Sequence, residues 1–241
     1  MKNNMIIKYP EHVNYEDFSS DKVTKIKYGL PSDIRFCKLC VESNQRPSTT
    51  IEYNHNKNSK KEAVVFDNKG ICAACNFSLK KDKINWDERD KLLRELCDKH
   101  RRTDGRYDCI VPGSGGKDSI YVSDLLKKEY GMHPMTVTWS PHIYTDWGRK
   151  NFDSWIHSGQ DNILITPNGK IHRLLTRLAV DVLFHPFQPF IFGQKSVAPK
   201  IASAMGIPLI FYGEHEAEYG SQVENDDEST QDSKFYSNVD F

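Results

Sequence analysis

The sequence lacks an excess of charge of either sign. Lys and Arg together number 33, as do Asp and Glu, so the formal net charge at pH 7 is +0. A protein that binds nucleic acid over a broad surface normally carries a clear excess of basic residues. The balance therefore argues against a globally basic nucleic-acid binder and leaves only a local basic patch open.

Long apolar runs are also missing. No stretch reaches the roughly 18 apolar residues that a membrane-spanning helix needs. The opening residues, MKNNMIIKYPEHVNYED, have neither the apolar segment nor the small-residue cleavage site of a secretory leader. We therefore expect a cytoplasmic protein without a membrane partner. In that compartment its six cysteines would be reduced thiols or metal ligands rather than disulfides.

Four of the cysteines form two C-x2-C pairs, CKLC at Cys37 and Cys40 and CAAC at Cys72 and Cys75. Two such pairs suit one tetrahedral zinc ion, because each tight turn directs two thiolates at one point. Four thiolates leave no position for water or substrate, so the zinc would be structural. The stretches TTIEY and AVVFDNKGIC predict strands of a hairpin between the pairs.

Two other interpretations of the cysteine pairs stay open. They could be accidental pairs of reduced core cysteines. They could also be redox sites, but the sequence disfavours this because neither pair is predicted to follow a strand and open a helix. Cys97 and Cys109 stand singly in apolar contexts, which predicts core positions.

Strand and helix patterns alternate from about residue 85. A linking helix is predicted in INWDERDKLLRELCDKHRR, and helices are predicted at residues 117–130, in WGRKNFDSWIHSG, in IHRLLTRLAVDVL and around 194–205. The predicted strands are YDCIVP, MTVTW, NILIT and IPLIFYG. This alternation predicts an α/β fold with a doubly wound, mainly parallel sheet, in which ligands bind at the carboxyl ends of the strands.

The stretch PGSGGKDS, residues 112–119, lies at such an end. It fails the Walker A pattern because Asp118 follows Gly116-Lys117, and it fails the dinucleotide fingerprint for want of a third glycine. Gly115 and Gly116 would let backbone N–H groups surround a phosphate. Ser114 and Ser119 would supply hydroxyl donors. An acidic side chain beside a polyanion makes sense if a divalent cation lies between them, so Asp118 favours Mg²⁺ with pyrophosphate. A chance serine–glycine turn is the alternative.

This loop resembles the PP-loop of the ATP pyrophosphatase superfamily. With CKLC, RPSTTIEY and VVFDNKGICAAC before it, and HPFQPFIFGQKSVAPKIASAMGIPLIFYGEHEAEYG after it, the chain resembles the N-acetyl sugar amidotransferases over about residues 30–220. These enzymes serve lipopolysaccharide and flagellar-sugar biosynthesis. The domains implied are an N-terminal extension (1–30), a four-cysteine zinc-binding module (31–84), a PP-loop domain (85–220) and a polar acidic tail (221–241).

The resemblance implies an ATP-dependent amidotransferase that turns an acetamido group into an acetamidino group and releases AMP and pyrophosphate. Ser114, Gly115, Gly116 and Ser119 would hold pyrophosphate, and Asp118 would hold Mg²⁺. Lys117 occupies the variable position of the motif. The backbone around Val137–Trp139 would meet the adenine, and the segment from Gly213 would face nucleotide and metal. The site residues implied by the resemblance are therefore Asp118 and Lys195 (catalytic), Ser114, Gly115, Gly116, Lys117, Asp118, Ser119, Trp139 and Gly213 (nucleotide), and Asp118 and Glu218 (magnesium).

Several of these positions have plainer interpretations. Glu214, His215 and Glu218 could belong to an ordinary polar loop, and Lys195 to a solvated helix face. His185, in FHPFQPF, could line a pocket or be a hydrogen-bonded structural histidine. Phe152 and Trp155 are predicted to be core residues rather than a sugar platform.

The chain shows no glutaminase, so the resemblance implies a separate glutaminase subunit or free ammonia. Members of the family continue well beyond the fourth strand, whereas this chain ends at Phe241 in polar sequence, which leaves a complete sugar site in question. Two alternatives remain: a PP-loop enzyme of tRNA thiolation or lysidine type, and a catalytically silent zinc- and nucleotide-binding scaffold.

Overall fold

The computed structural model of the protein describes residues 30–45 and 63–214. From residue 86 to residue 183 its helices and strands alternate as the sequence predicted, and a helix that was not predicted lies at residues 73–81. In chain order they are α1 (Ala73–Lys81), α2 (Trp86–His100), β1 (Cys109–Pro112), α3 (Lys117–Lys128), β2 (Pro134–Trp139), α4 (Asp146–His157), β3 (Asp161–Ile165), α5 (Gly169–Leu183) and α6 (Gln188–Met205).

Local signals set the helix ends. Asn85 accepts a hydrogen bond from the backbone N–H of Glu88 at the start of α2, and Asn168 caps α5 in the same way. Gly206 ends α6 in the left-handed region at φ 65°. Helix α6 begins at Gln188, earlier than predicted. Pro189 lies in the first turn of α6. Backbone N–H groups in the first turn have no acceptor within the helix, so the missing N–H of proline removes no helical hydrogen bond.

The sheet is parallel, with β2 between β1 and β3. Pro112 at the end of β1 pairs with Val137, and Trp139 at the end of β2 pairs with Ile165. The carboxyl ends of all three strands therefore lie at one edge of the sheet, where the glycine loop also lies. The α/β class is confirmed.

The predicted fourth strand is reduced to a short contact with β1. Ile110 bridges Ile210 in the parallel sense, and it exchanges hydrogen bonds of 2.9 Å with the backbone of Leu209 and Phe211. In the described residues the pairing is limited to this single bridge. The segment still lies along β1, which brings Gly213 to the carboxyl edge.

Helices cover both faces of the sheet. On one face Ile110, Met135 and Val137 pack against Val197 and Ala198 of α6. On the other, a second apolar cluster joins α2 and α3 to β1, and it consists of Cys97, Cys109, Val111, Leu126 and Met132. The predicted core positions of Cys97 and Cys109 are confirmed, as are those of Phe152 and Trp155, which are 2% and 1% exposed.

Helix α5 has an exposed apolar face. Its sequence places five apolar residues in one stripe, Ile171, Leu174, Leu175, Leu178 and Val182. The stripe is exposed, with Val182 at 73%, and Phe184 just beyond the helix is exposed at 90%. Ala179 is the buried residue of this helix. The periodicity predicted the helix correctly, but it does not specify which surface the apolar face meets.

Some expectations fall outside the structural description. The predicted strand TTIEY and the residues His215 and Glu218 lie outside the described residues. Within residues 30–45 and 63–214, no helix has the length and apolar character required to cross a membrane.

Candidate nucleotide and metal sites

The glycine loop joins β1 to α3 at the carboxyl edge of the sheet. The backbone N–H of Gly113 donates to the carbonyl of Val137 at 3.0 Å, which ties the loop to the end of β2. Gly115 has φ 86°, a conformation that side chains with a Cβ rarely adopt. The structure thus has the strand–turn–helix arrangement that the sequence predicted for residues 112–119.

Two glycines of the predicted site are held against neighbouring backbone. A Cβ on Gly115 would lie 2.7 Å from the backbone nitrogen of Phe152, so α4 rests directly on the loop. A Cβ on Gly213 would lie 2.8 Å from the carbonyl carbon of Asp118. The segment after α6 therefore touches the start of α3. At Gly116, by contrast, a Cβ would meet no atom within 4 Å, so this residue faces the open side of the loop.

The start of α3 offers backbone donors. Gly116 is its N-cap residue, and no side chain caps it. The first N–H groups of a helix have no intrahelical partner, and together with the helix dipole they favour an anion. Ser114 is exposed beside them.

Two predicted ligands have additional contacts within the loop. Ser119 is buried, and its hydroxyl donates to the carbonyl of Gly116 at 3.1 Å, so its hydrogen is directed into the loop and its oxygen is left as an acceptor. Asp118, whose side chain is 36% exposed, pairs with the ammonium of Lys117 at 2.5 Å. A carboxylate oxygen is a ligand type that Mg²⁺ prefers.

The side chain of Trp139 packs on α6. A Cβ on Gly193 would lie 2.1 Å from the indole, so the ring is in close contact with the backbone of α6. Lys195, predicted to steady phosphate charge, is half-buried two residues further along the same helix. His185 is half-buried in the turn between α5 and α6.

A histidine pair at the same edge was missed by the sequence analysis. His142, from the loop after β2, stacks on His172 of α5 with ring centroids 4.5 Å apart. His142 also lies 5.6 Å from Phe190 and 6.1 Å from Phe187. No sequence signal links residues 142 and 172, because their contact depends on the neighbouring positions of β2 and β3.

The four cysteines of the two C-x2-C pairs converge. Their sulfur atoms all lie within 4.8 Å of one another. The Cys37 and Cys75 sulfurs are 3.9 Å apart, and those of Cys40 and Cys72 are 3.7 Å apart. Zn–S bonds of about 2.3 Å in a tetrahedron imply sulfur–sulfur distances of about 3.8 Å. The donor set and its spacing therefore fit a zinc ion.

Backbone turns hold the sulfurs in place. The N–H of Cys72 donates to the sulfur of Cys37 at 3.3 Å, and the N–H of Glu42 donates to that of Cys40 at 3.4 Å. Lys38, inside the first pair, donates its N–H to the carbonyl of Gly70 at 3.0 Å, which joins the two turns. The site is therefore assembled from both turns together.

The cysteine thiols differ in acidity. Burial opposes ionisation of Cys37, but hydrogen bonds from the N–H groups of Cys72, Leu39 and Cys40 outweigh it and lower its pKa to about 6. The neighbouring sulfur of Cys40, together with burial, raises the pKa of Cys75 to about 12. Once one thiolate forms, the others resist ionisation until a cation is present.

One sequence argument about these cysteines was wrong. The CAAC pair does open a helix, because Cys72 is the N-cap of α1 and its sulfur accepts the N–H of Cys75. Phe66 and Cys72 also form an antiparallel bridge just before it. The helix context therefore does not separate redox from metal chemistry here. The convergence of all four sulfurs favours the metal, since a redox pair needs only two.

A shallow cleft of about 380 Å³ lies beside the turn that ends α3. It is lined by Arg94, Arg101 and Lys128 among others, but these cations have local acidic partners: Asp90, Asp98 and Asp124. The turn leads into the amino end of β2, so the cleft lies at the edge of the sheet opposite the glycine loop. We assign it no role in binding a phosphate.

No protein-family model matches the chain. The chain is 32% identical over 101 residues to "Uncharacterized protein MJ1599" of Methanocaldococcus jannaschii. That alignment covers 42% of this chain and 31% of the relative, so the chain spans less than a third of the relative's length. The relative's name assigns no activity.

Proposed function

We propose that the protein is a Mg²⁺- and ATP-dependent amidotransferase that converts the acetamido group of a bacterial surface sugar to an acetamidino group. The observation that carries the proposal is the uncapped start of α3 above a glycine loop, with the carboxylate of Asp118 in its first turn. This arrangement suits the pyrophosphate end of ATP with its cation.

The proposed reaction requires activation because an amide is a poor electrophile. Adenylyl transfer from ATP to the acetamido oxygen would break the bond between the α- and β-phosphates and release pyrophosphate. Ammonia would then attack the amide carbon and expel AMP. The N–H groups of the loop and Mg²⁺ held by Asp118 would stabilise charge on the departing pyrophosphate.

The finer architecture also belongs to this proposal. We infer a doubly wound PP-loop domain, to which the segment at residues 209–211 contributes a fourth parallel strand, and a structural zinc ion in the four-cysteine cluster. The ammonia would come from a separate glutaminase subunit or from solution. The proposal keeps the protein in the cytoplasm, where ATP is available and thiols stay reduced.

The decisive experiment measures AMP and pyrophosphate released from Mg·ATP, with ammonia and a panel of diacetamido sugars. We expect sugar-dependent release by the wild type and a loss of about 100-fold or more in Asp118→Asn, which removes a charge that would hold the cation. The matched control is Asp124→Asn in the same helix, whose carboxylate pairs with Lys128. This control is expected to keep its activity.

Other outcomes point to other functions. Release of ADP and phosphate would contradict a PP-loop assignment. Binding of ATP without release of AMP for any sugar would favour the silent scaffold. Adenylation that depends on tRNA, with binding that weakens steeply as salt rises, would favour the tRNA-modifying alternative.

A further inference from the structure

A cluster of aromatic and imidazole rings lies at the carboxyl edge of the sheet, beside the glycine loop. It is formed by five ring side chains from the end of β2, the loop after it, α5, the N-cap residue of α6 and α6 itself. Three of its contacts are the stacking of His142 on His172, the edge-on approach of His172 to Trp139 at 6.4 Å between centroids, and the approach of His142 to Phe190. We call this the ring cluster: Trp139, His142, His172, Phe187 and Phe190.

The ring cluster holds buried polar atoms without partners. Both Nε1 of Trp139 and Nε2 of His172 are shielded from solvent, and neither has a hydrogen-bond partner. A buried polar atom left unpaired costs free energy, so two of them in adjacent rings call for an explanation. A ligand that accepts a hydrogen bond from the indole and contacts the imidazole would give both atoms a partner.

Two rings of the cluster are exposed. His142 is exposed, and Phe187 is 57% exposed. These two rings form its outer wall, and the unpartnered atoms of Trp139 and His172 lie further in. Small-molecule sites commonly combine such apolar ring surfaces with a few inward polar groups.

The cluster lies close to the proposed nucleotide site. The loop is hydrogen-bonded to Val137, and Trp139 follows two residues later, a distance of about 7 Å along a strand. The loop itself is bounded by α4 and by Gly213, whereas the cluster lies over β2 towards α5 and α6. A ligand held there would therefore lie beside the triphosphate rather than in its place.

The chemistry of the rings restricts the ligand. None of the five side chains is a carboxylate, a lysine or an arginine. Burial, followed by the proximity of His142, lowers the pKa of His172, so this imidazole is neutral near pH 7. The indole Nε1 can only donate. The ligand that fits is uncharged at this point, has a ring with an apolar face, and presents an oxygen acceptor.

We propose that the ring cluster is the acceptor site, which binds the pyranose ring of an acetamido sugar and directs its amide towards the glycine loop. This inference rests on the proposed function for the identity of the sugar. His142 and Phe187 would cover the face of the ring, and Trp139 with His172 would engage an oxygen. In this role these residues bind and position the acceptor.

The test measures two affinities separately by calorimetry: that of a diacetamido hexose and that of Mg²⁺ with α,β-methylene ATP. We expect His142→Ala and His172→Ala each to weaken sugar binding by about tenfold and to leave the affinity for the nucleotide analogue unchanged. His142 is exposed, so its variant guards against a result that reflects misfolding of the His172 variant. The matched control is His157→Ala, an exposed histidine at the far end of α4.

The possible results separate the two proposals. Sugar binding that is unchanged in both variants, or absent from a wild type that binds the nucleotide analogue, overturns the acceptor site and leaves the ATP proposal standing. Weakened nucleotide binding with unchanged sugar binding makes the cluster an adenine site and also overturns the inference. A wild type that binds neither ligand overturns both proposals.

Discussion

Adjacent glycines in the loop between β1 and α3 have different physical requirements. Gly115 combines a positive φ with direct contact between its backbone and α4, whereas Gly116 has φ −72° and open space where a Cβ would go. The sequence predicted that both glycines let a phosphate approach the backbone. In the structure, Gly115 is also required because its backbone packs closely on the backbone of Phe152.

The two positions should therefore respond differently to alanine. Gly115→Ala places a Cβ against backbone atoms in an unfavourable conformation, and we expect it to lower the free energy of unfolding by about 2 kcal/mol or more. Gly116→Ala should change it by no more than about 1 kcal/mol. Urea unfolding at constant pH checks both. Equal losses in the two variants would show that contact with α4 does not constrain the loop.

Residue-level prediction worked where the chemistry is local in sequence. The two C-x2-C pairs and the loop at residues 112–119 could be found because their members lie a few positions apart. The stacking of His142 on His172 could not, since it follows from tertiary placement. Nor could the hydrogen bond from Ser119 to Gly116, which uses a donor that had been expected to face a ligand.

At the scale of elements, α2 is fastened to the turn that follows α3. Asp90 of α2 accepts hydrogen bonds from the hydroxyl of Tyr130 at 2.6 Å and from Arg94 at 2.8 Å. These contacts, that of Tyr130 first, lower the pKa of Asp90. The same carboxylate, together with burial, raises the pKa of Tyr130 to about 12.

This fastening should weaken in acid. The folded pKa of Asp90 lies below its unfolded value of about 3.9. The ionised carboxylate therefore makes its full contribution to the free energy of unfolding above about pH 3.9, and this contribution is lost as pH falls through the folded pKa. We expect Asp90→Asn to lower Tm by a few degrees at pH 7 and by less at pH 3. Thermal unfolding monitored by circular dichroism measures this. Glu95→Gln, an exposed site on the same helix, is the control, and a Tm difference independent of pH would contradict the argument.

Periodicity identified α2 to α6 and the three strands, but not α1, because apolar spacing and caps are properties of short windows. It did not identify the partner of each apolar face. The stripe of α5 has the spacing of a buried face and is exposed, and the segment around Ile210 has the composition of a strand but pairs only briefly. Both outcomes depend on tertiary neighbours that a single window does not contain.

At the scale of the whole molecule, the four-cysteine cluster connects segments that have little else to hold them. Cys37 and Cys40 lie in a short stretch with few buried apolar side chains, and α1 has no buried residue. A module of this kind depends on its metal for stability, and structural zinc contributes about 10–16 kcal/mol of apparent binding free energy in small domains.

Removal of the metal should therefore unfold this module selectively. We expect about one zinc per chain by elemental analysis, and its loss in Cys37→Ser but not in Cys97→Ala. A chelator should abolish hydrogen-exchange protection in Ala73–Lys81 while β1 to β3 stay protected, since the sheet has its own core. Retention of zinc by Cys37→Ser would refute the site. Protection of α1 that survives chelation would refute its structural role.

The pairing of Ile110 with Ile210 has a consequence for synthesis of the chain on the ribosome. The strand that carries the glycine loop acquires its outer neighbour only from a segment about a hundred residues later. Since the amino-terminal part emerges first, β1 stays an unpaired edge until nearly all the described chain has been translated. The contact of Gly213 with the start of α3 forms at the same late point. A nascent chain should therefore complete this side of β1 only after Gly213 has emerged, and chains interrupted before that residue would present an open edge to other molecules.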